Sequence, residues 1–243
     1  MASQLGASSR LGPSFCAADY DNDGKYHVLV AASGSVATIK LPNIVTALSQ
    51  RGDVSIRIIL TASAHKFLLG QSSEQPDLQT IRAIPHVDGI YLDEDEWRTP
   101  WTRGANILHI ELRRWAHCLL IAPLSANTLA KITMGLSDNL LLSVVRAWDW
   151  SRSATSSGEL IPRPRIFVAP AMNTVMWRHP ITENQISVLE GDWGFKGEES
   201  QGWFTVIRPM QKALACGDVG DGAMEDWKKI VNVVEQYFEQ IRL

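Results

Sequence analysis

Hydrophobic residues in this chain fall into short unbroken runs that alternate with stretches of helical spacing. Tyr26 to Ala32 (YHVLVAA) is a continuous apolar run that ends in Ser-Gly-Ser. Such a run suits a strand buried on both faces. Ser35 to Gln50 follows with apolar positions at Val36, Ile39, Ile44, Val45 and Leu48, interrupted by Pro42. Arg51-Gly52-Asp53 turns the chain. Val54 to Leu60 reads as a second strand and Ala62 to Leu69 as a short helix. Cys118 to Ala122 (CLLIA) and Arg165 to Ala169 (RIFVA) are further buried strands, with a helical region from Ala126 to Ala147 between them. At the C-terminal end, Trp227, Ile230, Val231, Val234, Tyr237, Phe238 and Ile241 share one helical face.

Strands alternating with helices predict an α/β fold. The expected architecture is a doubly wound parallel sheet in three layers, flavodoxin-like (Rossmann-like), within a single domain. Residues 1–24 read as a disordered tail and residues 25–243 as the folded domain. Within it, 71–103, 150–164 (Ser-rich, ending Pro-Arg-Pro) and 190–204 read as insertions or loops.

In a sheet of this kind, ligands sit beyond the C-terminal ends of the strands. Here those ends read ASGSV, LTASA, APLSAN and APAMN, all small and polar. Small side chains let a flat ring or a phosphate approach the backbone, and helix N-termini offer N–H groups to an anion. The set points to a phosphorylated ligand such as a mononucleotide. The same residues also suit ordinary helix capping, and any one loop alone would be read that way. GxGxxG and GxxxxGK[ST] are both absent from the sequence.

Composition narrows the partners. The 243 residues carry 23 Lys and Arg against 26 Asp and Glu, a net charge of -3, so nothing basic marks a nucleic-acid or acidic-membrane partner. No apolar run approaches the ~20 residues that span a bilayer. Three widely spaced cysteines (Cys16, Cys118, Cys216) without a CxxC pair argue against a disulfide framework or zinc ribbon. A reducing, cytoplasmic setting is the simpler expectation. Cys118, inside an apolar strand, reads as a small buried hydrophobe. The nine tryptophans hint at a pocket or subunit contacts, with core packing the plainer reading for most.

Several segments are familiar beyond their physics. LVAASGSVATIKLPN, LHIELRRWA, IAPLSANTLAKI, SDNLL with VVRAWD, VAPAMNTVMW and LACGDVGDGAM occur in order from residue 29 to residue 224. Together they resemble the homo-oligomeric flavin-containing cysteine decarboxylases, and within them the phosphopantothenoylcysteine decarboxylases. The resemblance implies FMN as cofactor, a homotrimer, no metal, and decarboxylation of 4'-phosphopantothenoylcysteine to 4'-phosphopantetheine in coenzyme A biosynthesis. It implies a route in which the substrate thiol is oxidised to a thioaldehyde. Loss of CO2 then gives an ene-thiol, which is reduced back, with no net redox change.

The resemblance also implies roles for particular residues. His109, in LHIELRR, would be the base or orienting group beside the flavin. Cys216, on a glycine-rich flap, would donate a proton in the last reduction. Asn173 would hold the substrate carboxylate, with Met172 and Ala215 as further substrate contacts. The FMN contacts would be Gly34, Ser35, Val36, Thr61, Ser63, Ser125, Ala126, Asn127, Thr128 and Ala171. Without the resemblance, His109 reads as a surface or core histidine and Asn173 as a helix N-cap. Met172, Met176 and Trp177 read as packing. Two features depart from the family pattern. His117 stands where an acid is expected, and the stretches 150–164 and 190–204 exceed those of compact members. Related chains also suggest alternatives. One is a regulatory (inhibitory) subunit acting on a protein phosphatase catalytic subunit, or a non-catalytic member of a mixed trimer. Others are decarboxylation of peptide C-terminal cysteines and flavin prenylation.

Overall fold

The computed structural model describes residues 15–98, 100–151, 163–197, 201–213 and 219–241. The long apolar runs form the centre of a parallel sheet. In β1 (Tyr26–Ala32) six of seven residues are buried, and in β2 (Val54–Leu60) all seven are. The expected helix Ser35 to Gln50 divides at its proline. A 3₁₀ turn covers Val36–Lys40, and α1 (Leu41–Ser49) begins with Pro42 in its first turn, where a missing N–H costs little. The next helix is shorter than expected, α2 (Ala62–His65).

The chain continues through α3 (Leu78–Arg82), β3 (Val87–Tyr91) and α4 (Asp93–Glu96). The expectation of an insertion at 71–103 is therefore corrected, because this stretch supplies a strand of the main sheet. β3 pairs with β2 on one side, and Asp88 in it is exposed. A short edge strand buried on one face lacks the continuous apolar run that marks a central strand. Next come α5 (Leu108–Trp115), the fully buried β4 (Cys118–Leu124), α6 (Ala126–Thr133) and α7 (Leu140–Arg146). The last two arise from the expected helical stretch, which is interrupted near Gly135, a residue with φ of 72°.

β5 (Arg165–Pro170), α8 (Thr174–Trp177) and α9 (Pro180–Glu190) follow. Beyond them lie β6 (Phe204–Val206), the antiparallel pair β7 (Met210–Ala213) and β8 (Val219–Ala223), and α10 (Trp227–Ile241). Most of the expected insertion 150–164 lies outside the described residues. The stretch 190–204 carries Trp193 and Trp203, whose rings stack 5.7 Å apart, and leads into β6. Trp150 stacks on the same Trp203 ring at 5.4 Å.

Among the described residues, six parallel strands are ordered β3-β2-β1-β4-β5-β6. This is a doubly wound α/β sheet with the strand order of the Rossmann pattern. One face buries α1 and α10 with Ile44, Leu48, Val234 and Phe238. The other buries α5, α6, α7 and α9 with Leu112, Leu129, Leu141 and Ile186. No helix among the described residues is long and apolar enough to cross a membrane.

The expected disordered tail is corrected for residues 15–24. A 3₁₀ turn, Ala17–Tyr20, packs on the second face, and the Ala17 N–H donates to the buried Glu111 carboxylate at 2.7 Å. Arg57 explains why this segment is held. Its guanidinium is buried within β2 and donates to the Tyr91 hydroxyl. The Phe15, Tyr20 and Trp115 rings lie 4.0, 5.0 and 5.0 Å from it. Aromatic faces attract the cation where carboxylates are lacking. His117, unexpected in the sequence, has an equally structural role. Its Nδ1 accepts from the His27 N–H at 2.9 Å, and its ring stacks on that of His27 at 4.8 Å.

Phe238 is buried in α10 and stacks on Tyr26 at 4.7 Å. Phe238→Ala should destabilise the protein by about 3–5 kcal/mol through lost burial and a cavity. The loss is read as a lower urea midpoint with an unchanged slope.

Candidate functional site

Adjacent strands whose connections run to opposite faces leave a crevice at the C-terminal edge of the sheet. Here that point lies between β1 and β4. Ser33, wholly buried just past β1, bridges it. Its hydroxyl donates to the Pro123 carbonyl at 3.0 Å and accepts from the Ser125 N–H at 2.8 Å. The peptide between Ala122 and Pro123 is cis. Ser33 was not singled out from sequence, because a small serine in ASGSV carries no signal of what lies across the sheet.

The structure brings the expected cofactor-binding residues together along this edge. Gly34, Ser35 and Val36 follow β1, and Ser35 Oγ accepts from the Ala37 N–H. Thr61 caps α2 through the Ala64 N–H, and Ser125 caps α6 through the Thr128 N–H. Ala126 and Asn127 form the first turn of α6, with the Thr128 hydroxyl 3.2 Å from Ser125 Oγ. The hydroxyls cap helices, and the loops that carry them lie along one edge of the sheet. Gly34 lies against Ser63 so closely that a Cβ at position 34 would stand 2.6 Å from the Ser63 Cβ. Only a residue without a side chain fits this approach of the two loops.

The Asn173 loop joins the same edge through β5. The buried Ala171 donates its N–H to Leu124 O at 2.9 Å, and the Met172 N–H donates to Gly222 O at 2.9 Å. A Cβ on Gly222 would meet the Met172 carbonyl at 2.3 Å, so β8 lies directly on this loop. Arg178 Nε adds an ion pair to Asp221 at 2.9 Å. Asn173 is an N-cap, its Oδ1 accepting from the Val175 N–H at 2.8 Å. That bond commits the carbonyl end of the amide, so the Nδ2 donors remain for a ligand. Cys216 and Ala215 lie outside the described residues, in the stretch 214–218 that joins β7 to β8.

His109 sits in the first turn of α5, half-buried, with Nδ1 2.8 Å from Glu96 Oε1. Glu96 was missed from sequence, where Asp-Glu-Asp-Glu looks like a solvated acidic run. Asp93 in that run accepts from the Leu140 N–H at 3.2 Å. It thereby ties α4 to the start of α7. Burial pushes the Asp93 carboxyl up, opposed by the Leu140 and Ala62 N–H groups that face it. Cys118 is fully buried, and burial pushes its thiol far up, so it stays protonated and unreactive. Among the described residues no cluster of His, Cys, Asp and Glu could hold a metal ion.

Comparison with known proteins adds what geometry cannot. The family model described as Flavoprotein matches residues 17–239. The chain belongs to the flavoprotein family. A probable phosphopantothenoylcysteine decarboxylase of Arabidopsis thaliana is 42% identical over 216 residues, which cover 88% of this chain and 90% of that protein. A probable thymidylate synthase of Schizosaccharomyces pombe is 43% identical over 212 residues, 87% of this chain, but the chain spans 29% of that protein's length. Two solved structures share the fold closely. One is a PPC decarboxylase mutant complexed with pantothenoylaminoethenethiol, at a TM-score of 0.66, 40% identity and coverage of 88% of this chain and 99% of that one. The other is the FMN binding protein AtHal3, at a TM-score of 0.68, 40% identity and coverage of 89% and 98%.

The Gly34–Ser63 approach generates a direct test of the cofactor cradle. Gly34→Ala should lower flavin content on purification by about tenfold, a loss of roughly 1.4 kcal/mol in binding. Adding Ser63→Gly removes the opposing Cβ and should restore most of the flavin. Absorbance near 450 nm against protein mass reads both.

Proposed function

We propose that this chain is an FMN-dependent decarboxylase that converts 4'-phosphopantothenoylcysteine to 4'-phosphopantetheine in the cytoplasm. The observation that carries this reading is the joint edge: the Gly34, Thr61 and Ser125 loops, the Asn173 cap and β8 are linked by hydrogen bonds along one side of the sheet. The similarity to named decarboxylases over nearly nine-tenths of the chain supports it.

The residues present fit the cofactor. Gly34 against Ser63 leaves no room for a Cβ, a cradle suited to a flat group close to the backbone. Gly34, Ser35, Val36, Thr61, Ser63, Ser125, Ala126, Asn127, Thr128 and Ala171 would hold it, through main-chain N–H groups at the starts of the 3₁₀ turn, α2 and α6. When bound, FMN supplies the reversible hydride acceptance that turns the substrate thiol into a thioaldehyde and back.

The chain's own residues do the rest in this reading. Asn173 Nδ2 binds the substrate carboxylate without a fixed positive charge. Carbon dioxide loss removes the negative charge, so a neutral donor avoids over-stabilising the ground state. Met172 and Ala215 line the substrate beside it. The C=S bond takes up the electron pair as CO2 leaves, giving an ene-thiol. His109 orients the substrate or takes a proton from it. Cys216 donates the final proton from the segment between β7 and β8. The contacts Met172–Gly222 and Arg178–Asp221 hold β8 beside the Asn173 loop.

We further propose that the protein is a homotrimer. Val36, Met134, Val175, Met176 and Ile181 are exposed although large and apolar, and several border the proposed cofactor edge. Light scattering should return three times the 27.0 kDa chain mass.

Two variants test the chemistry. Cys216→Ser should release CO2 from 4'-phosphopantothenoylcysteine yet accumulate the ene-thiol, with little normal product by mass spectrometry. Normal product at wild-type rate would overturn the role of Cys216. Asn173→Asp should keep flavin and lose about 100-fold or more in kcat/KM, because a second carboxylate then faces that of the substrate. Flavin-loaded wild type that releases no CO2 would overturn the whole reading.

A further inference from the structure

Glu96 is a buried acid that neither the cofactor contacts nor the substrate contacts use. Its side chain is 4% exposed, against 21% for His109. Oε1 lies 2.8 Å from His109 Nδ1, and Oε2 is buried with no hydrogen-bond partner among the described residues. A carboxylate taken from water is costly unless it is paired and hydrogen-bonded. Among the described residues this one keeps a single bond, and that bond goes to the histidine.

The element that carries Glu96 is held at its start. Asp95 Oδ2 accepts from the Leu92 N–H at 2.8 Å, closing the turn at the start of α4. Asp93 accepts from the Leu140 N–H at 3.2 Å, fastening α4 to the start of α7. His109 itself is on an eight-residue helix packed by Leu112 and Trp115. Both partners of the contact thus sit on elements tied to their neighbours.

We propose that Glu96 is the positioning residue of His109, fixing both its ring orientation and its tautomer. The inference rests on the decarboxylase reading for its effect on rate, but not for its geometry. A carboxylate oxygen can only accept, so the 2.8 Å contact requires the proton on Nδ1. The neutral imidazole then carries its lone pair on Nε2, the nitrogen turned away from α4. His109 thus offers substrate an acceptor rather than a donor. When Nε2 takes a proton, the imidazolium forms against a buried negative charge already in place. A carboxylate behind a histidine does this in other active sites, where replacing it with an amide allows the wrong tautomer.

The test uses the full-length, FMN-loaded protein. Nitrogen-15 correlation spectra of the imidazole should show the neutral His109 protonated at Nδ1 in the wild type. Glu96→Gln retains the shape but can donate its amide N–H to Nδ1, so a population protonated at Nε2 should appear. Glu96→Gln and Glu96→Leu should each lower kcat by roughly 10- to 100-fold, with KM changed less than about threefold. A role confined to stapling α4 onto α5 would leave the tautomer and kcat of Glu96→Gln as in the wild type, and that result overturns the proposal. A wild-type His109 protonated at Nε2 does the same. Should Glu96→Leu fail to fold, Glu96→Gln still decides. A wild type without decarboxylation would sink the functional reading, while the tautomer spectrum would still decide the role of Glu96.

Discussion

Where β1 and β4 part, the buried Ser33 hydroxyl donates to Pro123 and accepts from Ser125, while the Ser33 N–H also reaches the Pro123 carbonyl. These bonds span 90 residues of sequence and join loops that lead to opposite faces of the sheet. From them the pairing passes along the edge. Leu124 receives the Ala171 N–H, and the next residue, Met172, donates to Gly222. A single line of hydrogen bonds therefore runs from the first strand to the hairpin β7–β8. Each loop of the candidate site is placed by its neighbour on this line. Loops tied to a rigid sheet can hold side chains with the precision that chemistry needs.

The capping residues show how structural and functional demands coexist. Ser35, Thr61, Ser125 and Asn173 all spend a side-chain oxygen on a helix N–H. That use satisfies one orphan donor at each helix start and leaves others facing the edge. For Asn173 the consequence is directional, because a committed Oδ1 presents Nδ2 as the donor. Glycine matters for the opposite reason. Gly34 and Gly222 contribute the absence of a side chain, which allows Ser63 and Met172 to come into contact with the backbone.

Legibility differed between elements for physical reasons. Central strands were read closely, since burial on both faces writes an unbroken apolar run, as in Val54 to Leu60. β3 was hidden because it is an edge strand with an exposed Asp88. Arg57, in the middle of β2, gave no hint that Phe15 and Tyr20 would cover it, so residues 15–24 looked like a tail. His117 looked anomalous only until His27 was seen beside it. At the site, the motif residues were proposed through resemblance alone, whereas Glu96 and Ser33 meet partners 13 or more residues away.

The sequence by itself determined the central strands β1, β2, β4 and β5 with the helices between them, the small polar strand ends and the family. Those properties are local: periodicity, propensity and motif identity are written in neighbouring residues. Tertiary structure alone decided which loops meet at the β1–β4 crevice, that the N-terminal segment covers a buried arginine, and that a buried glutamate stands behind His109. Each of these depends on groups far apart in sequence becoming close. Chain connectivity records no such distance until parallel pairing and two-faced burial fix the register of the sheet.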